Sequence, residues 1–194
     1  MRQKMNLNDI VNDYSSGTPG MERELKWFRE QPNLKAAIEC AAFAINCKGK
    51  KCPHQCRIKK VALENGKNAL LMNSKEINQV KSFHDLFLLI KGLCKPISGL
   101  GELYVYDTSL RIGAWLNLLP TKVYLHAGTR AGARALGFDI KKVEAIEVSE
   151  MPKAFQKLKP HELEDVLCIY LRPSSGKNKS CLKKDLVTKR SRCE

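Results

Sequence analysis

The sequence predicts an all-α protein with a single helical domain, and three observations support this fold class. Apolar residues recur at helical spacing in several separate stretches. Residues 34–45 and 127–135 are rich in alanine, the residue with the highest helix propensity. No stretch shows the strict alternation that indicates paired strands. The domain is predicted to cover residues 20–171, after an N-terminal segment 1–20 and before a basic, disordered tail 172–194.

Capping residues and helix breakers set the expected helix boundaries. A helix from Leu34 to Ile45 follows Asn33, and a helix from Phe83 to Leu93 follows Ser82, both good N-cap residues. The segment 138–149 is compatible with either a helix or a short extended piece. Further helices are predicted over 7–14, 21–30, 58–71, 103–116 and 160–170.

Charge is the strongest compositional signal. The chain has 194 residues with 34 Lys and Arg against 20 Asp and Glu, a formal charge of +14. Residues 172–194 contribute +6 of this, which leaves +8 on the rest of the chain. Such a balance favours a polyanionic partner, nucleic acid first. No run approaches the roughly 20 apolar residues of a membrane helix, and no secretion signal is visible. We therefore expect a cytoplasmic protein without a membrane partner.

Eight cysteines are expected to be reduced thiols in that compartment. Four of them, with the spacing C-x6-C-x4-C-x3-C, could hold zinc or an iron–sulfur cluster. The spacing matches no familiar metal motif, and the first of the four lies in an alanine-rich helical stretch, where cysteine is typical of a core. The sequence therefore predicts no metal and no cofactor. The four cysteines are Cys40, Cys47, Cys52 and Cys56.

The same region is strongly basic. Its cationic side chains surround glycine and proline, a composition that suits phosphate contacts. A solvated charged turn is an equally good interpretation. The basic and polar residues are Lys48, Lys50, Lys51, His54, Gln55, Arg57, Lys59 and Lys60.

A glycine-containing turn joins two predicted amphipathic helices. Gly99 and Gly101 flank Leu100, and both glycines are expected to take positive φ and to allow close backbone approach. Two helices joined in this way form a helix-hairpin-helix. The turn would present backbone N–H groups at a helix N-terminus, which favours a phosphate. These three residues are therefore predicted to contact nucleic acid.

The residues after this turn extend the pattern. Leu119-Pro-Thr leads to Val123-Tyr-Leu-His126 and then to a helix that carries Arg130 and ends in Leu136-Gly137. Together, residues 93–138 resemble the helix-hairpin-helix DNA glycosylase superfamily, which implies DNA as partner and base-excision chemistry. The chain is also similar to a widespread bacterial protein family with a Val-Tyr-Asp-Thr core, a likeness that implies no activity.

The usual catalytic residues of that superfamily are missing. Tyr124 stands where monofunctional glycosylases have aspartate, and Leu103 stands where bifunctional ones have lysine. If chemistry is present, Asp107 and His126 are the catalytic candidates. Asp107 would be an acid–base group in apolar surroundings. His126 would be an acid–base group or a phosphate contact. The alternatives are a structural Asp107–Arg111 pair one helical turn apart and a core histidine.

Arg130 and Arg134 lie on one face of the predicted helix 127–135 and suit a phosphate or acidic groups elsewhere in the fold. The small residues of this helix predict close packing on another helix. Three tyrosines could stack on a flipped base, although aromatic residues at this spacing are more often core. They are Tyr104, Tyr106 and Tyr124.

Together these features predict a protein that binds double-stranded DNA and is related to base-excision glycosylases but lacks their standard chemistry. Two alternatives stay open. One is an enzyme for a nucleotide or small molecule with a pocket at Asp107, His126 and Arg130. The other is a protein-interaction domain in which the hairpin is only a tight helix connection.

Overall fold

The computed structural model describes residues 6–17 and 19–171. Residues 1–5, Thr18 and the predicted tail 172–194 lie outside the described residues. The described chain is mostly helical, as predicted, but it also has a small two-stranded sheet. No helix in this part of the chain has the length and apolar character to cross a membrane. The elements are α1 Leu7–Gly17, α2 Pro19–Arg29, α3 Leu34–Ala42, α4 Lys60–Met72, α5 Ser74–Gln79, α6 Phe83–Cys94, α7 Glu102–Trp115, β1 Lys122–Tyr124, α8 Ala127–Ala135, β2 Ala145–Glu147 and α9 Pro160–Ile169.

The described residues group into two compact units. The N/C unit combines residues 6–17, 19 and 20 with 120–171, and the central unit is residues 21–119. The expectation of one domain over 20–171 stays a prediction, and each unit is described by itself.

The N/C unit contains a small sheet. Its second strand lies in the segment 138–149, for which a short extended piece was one of the two alternatives, whereas its first strand was not predicted. β1 and β2 pair antiparallel, with Val123 opposite Ile146. The expectation of helices alone was therefore too narrow, because strands of three residues are too short to show an alternating pattern. Both residues of this pair are buried in a core that also contains side chains of α1 and α9.

Close contact between α8 and α9 confirms the predicted packing of small residues. A Cβ placed on Gly132 would lie 2.2 Å from the backbone oxygen of Leu167. Only glycine allows this distance between the two helix backbones. The close approach sets the spacing of every side chain that points from one helix to the other.

Two tyrosine–aspartate hydrogen bonds connect α1 with α9 and the residue after it. The Tyr14 hydroxyl donates to Asp165 at 3.2 Å, and the Tyr170 hydroxyl donates to Asp13 at 2.7 Å. Burial, together with the neighbouring Asp165 carboxylate, raises the pKa of Tyr14 well above its usual value. Tyr14 therefore stays protonated and keeps its role as donor.

The central unit is built around α7. This helix packs against α3 and α6, and most of its residues are buried, including Tyr104, Tyr106 and Ile112. The Tyr104 hydroxyl donates to the backbone oxygen of Ala42 at 3.0 Å, so these tyrosines are core residues. A helix buried on nearly all sides explains why its apolar residues do not form a single stripe.

The predicted caps of the central unit are confirmed. Asn33 accepts a hydrogen bond from the Ala36 N–H at 2.9 Å, and Ser82 accepts one from the Asp85 N–H at 3.1 Å. The short helix α5 was not predicted, because six residues give too little periodic pattern.

The connection between α6 and α7 differs from expectation at one glycine. Gly99 has φ of +94°, as predicted, but Gly101 is the N-cap of α7 with φ of −89° and ψ of −177°. The prediction of positive φ at Gly101 is wrong, because an N-cap residue takes extended backbone that any residue can adopt. The two helices are joined as expected, while the helix-hairpin-helix motif itself stays a prediction.

Two helical glycines provide a test of the α8–α9 contact. We expect Gly132→Ala to destabilise the protein by several kcal/mol, because the added methyl meets backbone that has no flexible side chain to move aside. Gly92→Ala in α6, where an added Cβ meets nothing within 4 Å, should be neutral or should stabilise the protein by about 0.5–1 kcal/mol. Urea unfolding of both variants measures the difference. Equal stability of the two would contradict the close approach.

Candidate functional site

A buried arginine organises the polar residues of the central unit. Arg111 on α7 is 4% exposed and donates from all three guanidinium nitrogens. Nε donates to Glu24 Oε1 at 3.2 Å, Nη1 to Gln55 Oε1 at 3.0 Å, and Nη2 to Cys52 Sγ at 3.1 Å. Each of these partners is itself buried. The guanidinium therefore ties α7 to α2 and to the segment 46–60, which we call the basic segment.

Asp107 continues the same network toward the surface. Its Oδ2 accepts from Gln55 Nε2 at 3.0 Å and lies 2.6 Å from His54 Nε2. The Arg111 Nη2 is farther away, at 3.8 Å. The predicted Asp107–Arg111 ion pair is present, but His54 and Gln55 are the nearer partners. The side chain of Asp107 is 14% exposed and that of His54 is 31% exposed.

The charge of Arg111 persists despite its burial. Desolvation lowers the pKa of this guanidinium, but Cys52, Asp107 and Glu24 raise it by more, so that the pKa lies above its usual value. A permanent positive charge in the core needs these partners, because an unpaired buried charge is strongly unfavourable. The network is therefore a structural requirement of the central unit.

The side chains of the basic segment divide between solvent and the buried network around Arg111. Lys48, Lys50 and Arg57 are exposed, as are Lys59 and Lys60 at the start of α4. Lys51 is half-buried, and its Nζ donates to the backbone oxygen of Ile58 at 2.9 Å. No acidic residue occurs between Glu39 and Glu64. The segment thus shows a cationic outer side, while Gln55 and Cys52 point inward.

The connection between α6 and α7 lies beside the end of this segment. A Cβ on Gly99 would lie 3.7 Å from the Cβ of Ala62, which is in the first turn of α4. Leu100 is buried against α4, near Gly66. Gly101 is exposed, and an added Cβ there would meet nothing within 4 Å. Residues 99 and 100 therefore lie against α4, the helix that directly follows the basic segment.

The four N-terminal cysteines have different surroundings. Cys40 Sγ donates to Gln31 Oε1 at 3.8 Å, Cys52 contacts Arg111, and Cys56 is an exposed thiol. Cys47 is disulfide-bonded. The expectation of eight reduced thiols is wrong for Cys47, because it rested on an assumed reducing compartment rather than on any residue of the chain.

His126 lies in the N/C unit as a buried N-cap of α8. Its backbone N–H donates to Thr129 Oγ1 at 2.7 Å, and its Nδ1 accepts from the Gly128 N–H at 3.3 Å. Its Nε2 makes a short contact with Glu164 Oε1 on α9. Cys168 lies one turn further along α9, and single ligand atoms of His126, Glu164 and Cys168 all lie within 4.8 Å of one another. His126 is thus held by both ring nitrogens, which accords with the core-histidine alternative.

The remaining predicted site residues are placed as follows. Arg130 Nη1 donates to the backbone oxygen of Val143 at 2.7 Å, while Arg134 is exposed. Tyr124 is buried in β1. Arg130, Arg134 and His126 belong to the N/C unit and Asp107 to the central unit.

The sequence identified the candidate residues themselves, but it did not identify the side chains that contact them. For His54 and Gln55 the sequence left phosphate contacts and a solvated turn as equal alternatives, yet both residues contact Asp107, and Gln55 also contacts Arg111. Glu164 and Cys168 were not singled out at all. The signal for this pair was their i, i+4 spacing on a predicted helix.

Comparisons with models of protein families, with curated proteins and with solved structures found no match for this chain. The function is therefore argued from the geometry and charge of the described residues.

Replacement of Arg111 tests the buried network. We expect Arg111→Met to destabilise the protein by about 3–5 kcal/mol, because Glu24 would be left as a buried carboxylate without its charge partner. Adding Glu24→Gln should recover part of this loss. Lys26→Met, which removes one member of an exposed pair with Glu30, should change the free energy of unfolding by less than about 1 kcal/mol. Urea unfolding measures all three, and an Arg111 variant as stable as the Lys26 variant would rule out this role for the arginine.

Proposed function

We propose that the protein binds double-stranded DNA through a basic surface on the central unit. We define this surface as the basic segment, residues 46–60, together with the connection 95–101. The observation that carries the proposal is the position of Gly99 beside Ala62, where an added Cβ would lie 3.7 Å from the Ala62 Cβ. Ala62 is in the first turn of α4, the helix that begins where the basic segment ends.

Side-chain charge gives the surface its attraction for a polyanion. Among its exposed cations, Arg57 and Lys59 have no acidic neighbour along the chain. Lys60 is partly neutralised by Glu64, with Nζ and Oε1 3.6 Å apart. Cations of this kind bind phosphates with little dependence on base sequence, and the binding weakens as salt rises. The expected interaction is therefore electrostatic and positions the protein on the DNA backbone.

Backbone N–H groups add to this attraction. Both α4 and α7 begin without a side-chain cap, so the first turn of each helix has N–H groups and a partial positive charge. Glu102 already places a negative charge in the first turn of α7. The start of α4, with Lys59 and Lys60, is therefore the stronger anion site of the two.

The resemblance of residues 93–138 to helix-hairpin-helix DNA glycosylases accords with this proposal. It remains an analogy, because function depends on the site rather than on the type of fold. The absence of the usual aspartate and lysine at Tyr124 and Leu103 favours DNA binding over standard base excision.

A second candidate function is catalysis at the same surface. The contact of His54 Nε2 with Asp107 Oδ2 resembles the arrangement in which a carboxylate orients an acid–base histidine. His54 lies within the basic segment, so a phosphate-bearing substrate would fit. If the surface is catalytic, His54→Gln should abolish turnover of such a substrate and leave the DNA affinity unchanged. Turnover by the variant equal to that of the wild type would exclude the catalytic function.

Paired charge reversals test the proposed binding. In the full-length protein, Arg57→Glu with Lys59→Glu should weaken binding to a short DNA duplex at least tenfold and should reduce the salt dependence of log K by about two or more. The measurement is fluorescence anisotropy across a salt series.

The control reverses two exposed lysines outside the assigned surface, Lys75→Glu in α5 with Lys81→Glu between α5 and α6. It changes the formal charge by the same amount and should leave most of the affinity intact. Equal losses in the two double variants would show that net charge alone drives binding, and the assigned surface would be wrong.

A further inference from the structure

We propose that His126, Glu164 and Cys168 bind a divalent metal ion of the zinc class in the N/C unit. One potential ligand atom from each side chain lies within 4.8 Å of the other two. His126 and Glu164 are almost fully buried, and Cys168 is half-buried. The site contains none of the four cysteines that the sequence analysis weighed as metal ligands, and it departs from the expectation that the protein holds no metal.

Local structure fixes each of the three side chains. Glu164 and Cys168 are four residues apart on α9 and therefore lie on one face of that helix. His126 is held at the start of α8 by the capping contacts with Thr129 and Gly128. Because α8 and α9 approach closely at Gly132, the histidine and the two α9 side chains meet.

Gly128 allows the thiol of Cys168 and the imidazole of His126 to lie close to the start of α8. A Cβ at this position would lie 2.6 Å from Cys168 Sγ and 3.3 Å from His126 Cε1. Any larger residue would displace the thiol or the imidazole from its present position. A simple buried ion pair between His126 and Glu164 would need neither this glycine nor the thiol.

The donor set selects the class of metal. An imidazole nitrogen, a carboxylate oxygen and a thiolate sulfur are all ligands of zinc, whereas magnesium and calcium prefer oxygen alone. Three protein ligands leave a fourth tetrahedral position for water. Glu164 and a deprotonated Cys168 together carry two negative charges, so a divalent ion would give an electrically neutral buried site.

Metal uptake has a defined proton balance. Since Nδ1 of His126 accepts from the Gly128 N–H, the proton of a neutral imidazole is on Nε2, toward Glu164. Metal binding through Nε2 breaks the contact between Nε2 and Glu164, and the imidazole proton moves to Nδ1. The protonated Nδ1 can no longer accept the 3.3 Å hydrogen bond from the Gly128 N–H. The Cys168 thiol releases its own proton to solvent, so one proton leaves for each ion bound.

Metal titration of the full-length protein tests this proposal. After treatment with a chelator, the protein should bind about one Zn²⁺ per chain and melt at a higher temperature when loaded. With Co²⁺ as probe, the wild type should show visible bands of a tetrahedral site and a near-ultraviolet thiolate-to-metal band.

Cys168→Ser should abolish the thiolate band and weaken metal binding at least tenfold. Cys56→Ser, which removes an exposed thiol in the central unit, is the matched control and should change neither. Glu164→Gln keeps the shape of the side chain and should also weaken binding, so it decides the question if the cysteine variant does not fold. Absence of binding, or binding that Cys168→Ser and Glu164→Gln leave unchanged, would overturn the proposal in favour of a metal-free ion pair.

Discussion

The central unit depends on one buried positive charge. Arg111 lies on a helix that is enclosed by its neighbours, and the guanidinium cannot shed its charge at any accessible pH. Its donors must therefore find acceptors inside the protein. Those acceptors come from Glu24 on α2 and from Cys52 and Gln55 in a segment with little regular structure. A single side chain thus sets the course of two parts of the chain that are far apart in sequence.

This constraint connects the interior of the central unit with its surface. Gln55 and Cys52 face the guanidinium, while the lysines and Arg57 between and beyond them face solvent. Loops are usually more mobile than the elements they connect, but here the contacts of Cys52 and Gln55 with Arg111 hold the backbone that carries the cationic side chains. A surface ordered before binding loses less conformational entropy when it meets DNA. The buried network therefore contributes to the proposed function without touching the ligand.

Local features of the fold could be predicted from the sequence, and distant contacts could not. The caps at Asn33 and Ser82 depend on residues within one helical turn, and both are confirmed. The small residues of α8 also lie within about two turns of one another and predicted close packing correctly, but not which helix would be the partner. Arg111 meets Glu24 from 87 residues away, and no periodicity encodes such a partner. The contact of His126 with Glu164 could not be predicted for the same reason, because these residues are 38 positions apart in the sequence. The error at Gly101 has a different cause, since a glycine beside a turn can serve either as an αL residue or as an N-cap.

The candidate sites were predicted in part for the same reason. Residue type and spacing identified Asp107, His126 and the basic segment as unusual, but chemistry depends on what surrounds each group. His54 contacts Asp107, although the sequence alone placed this histidine in a turn that suits either phosphate contacts or solvent. The Cys168 thiol lies close to His126, although the sequence alone showed only that Cys168 is in the predicted helix 160–170. In both cases tertiary packing decided the partner.

Hydrogen–deuterium exchange in the presence of a short DNA duplex tests the central claim most directly, because it reports backbone protection along the whole chain. If the basic segment and the connection 95–101 form one binding surface, amides at the start of α4 and at the start of α7 gain protection together, while those of α5 do not. Protection confined to one of these two helix starts, or found only outside the central unit, would contradict the account.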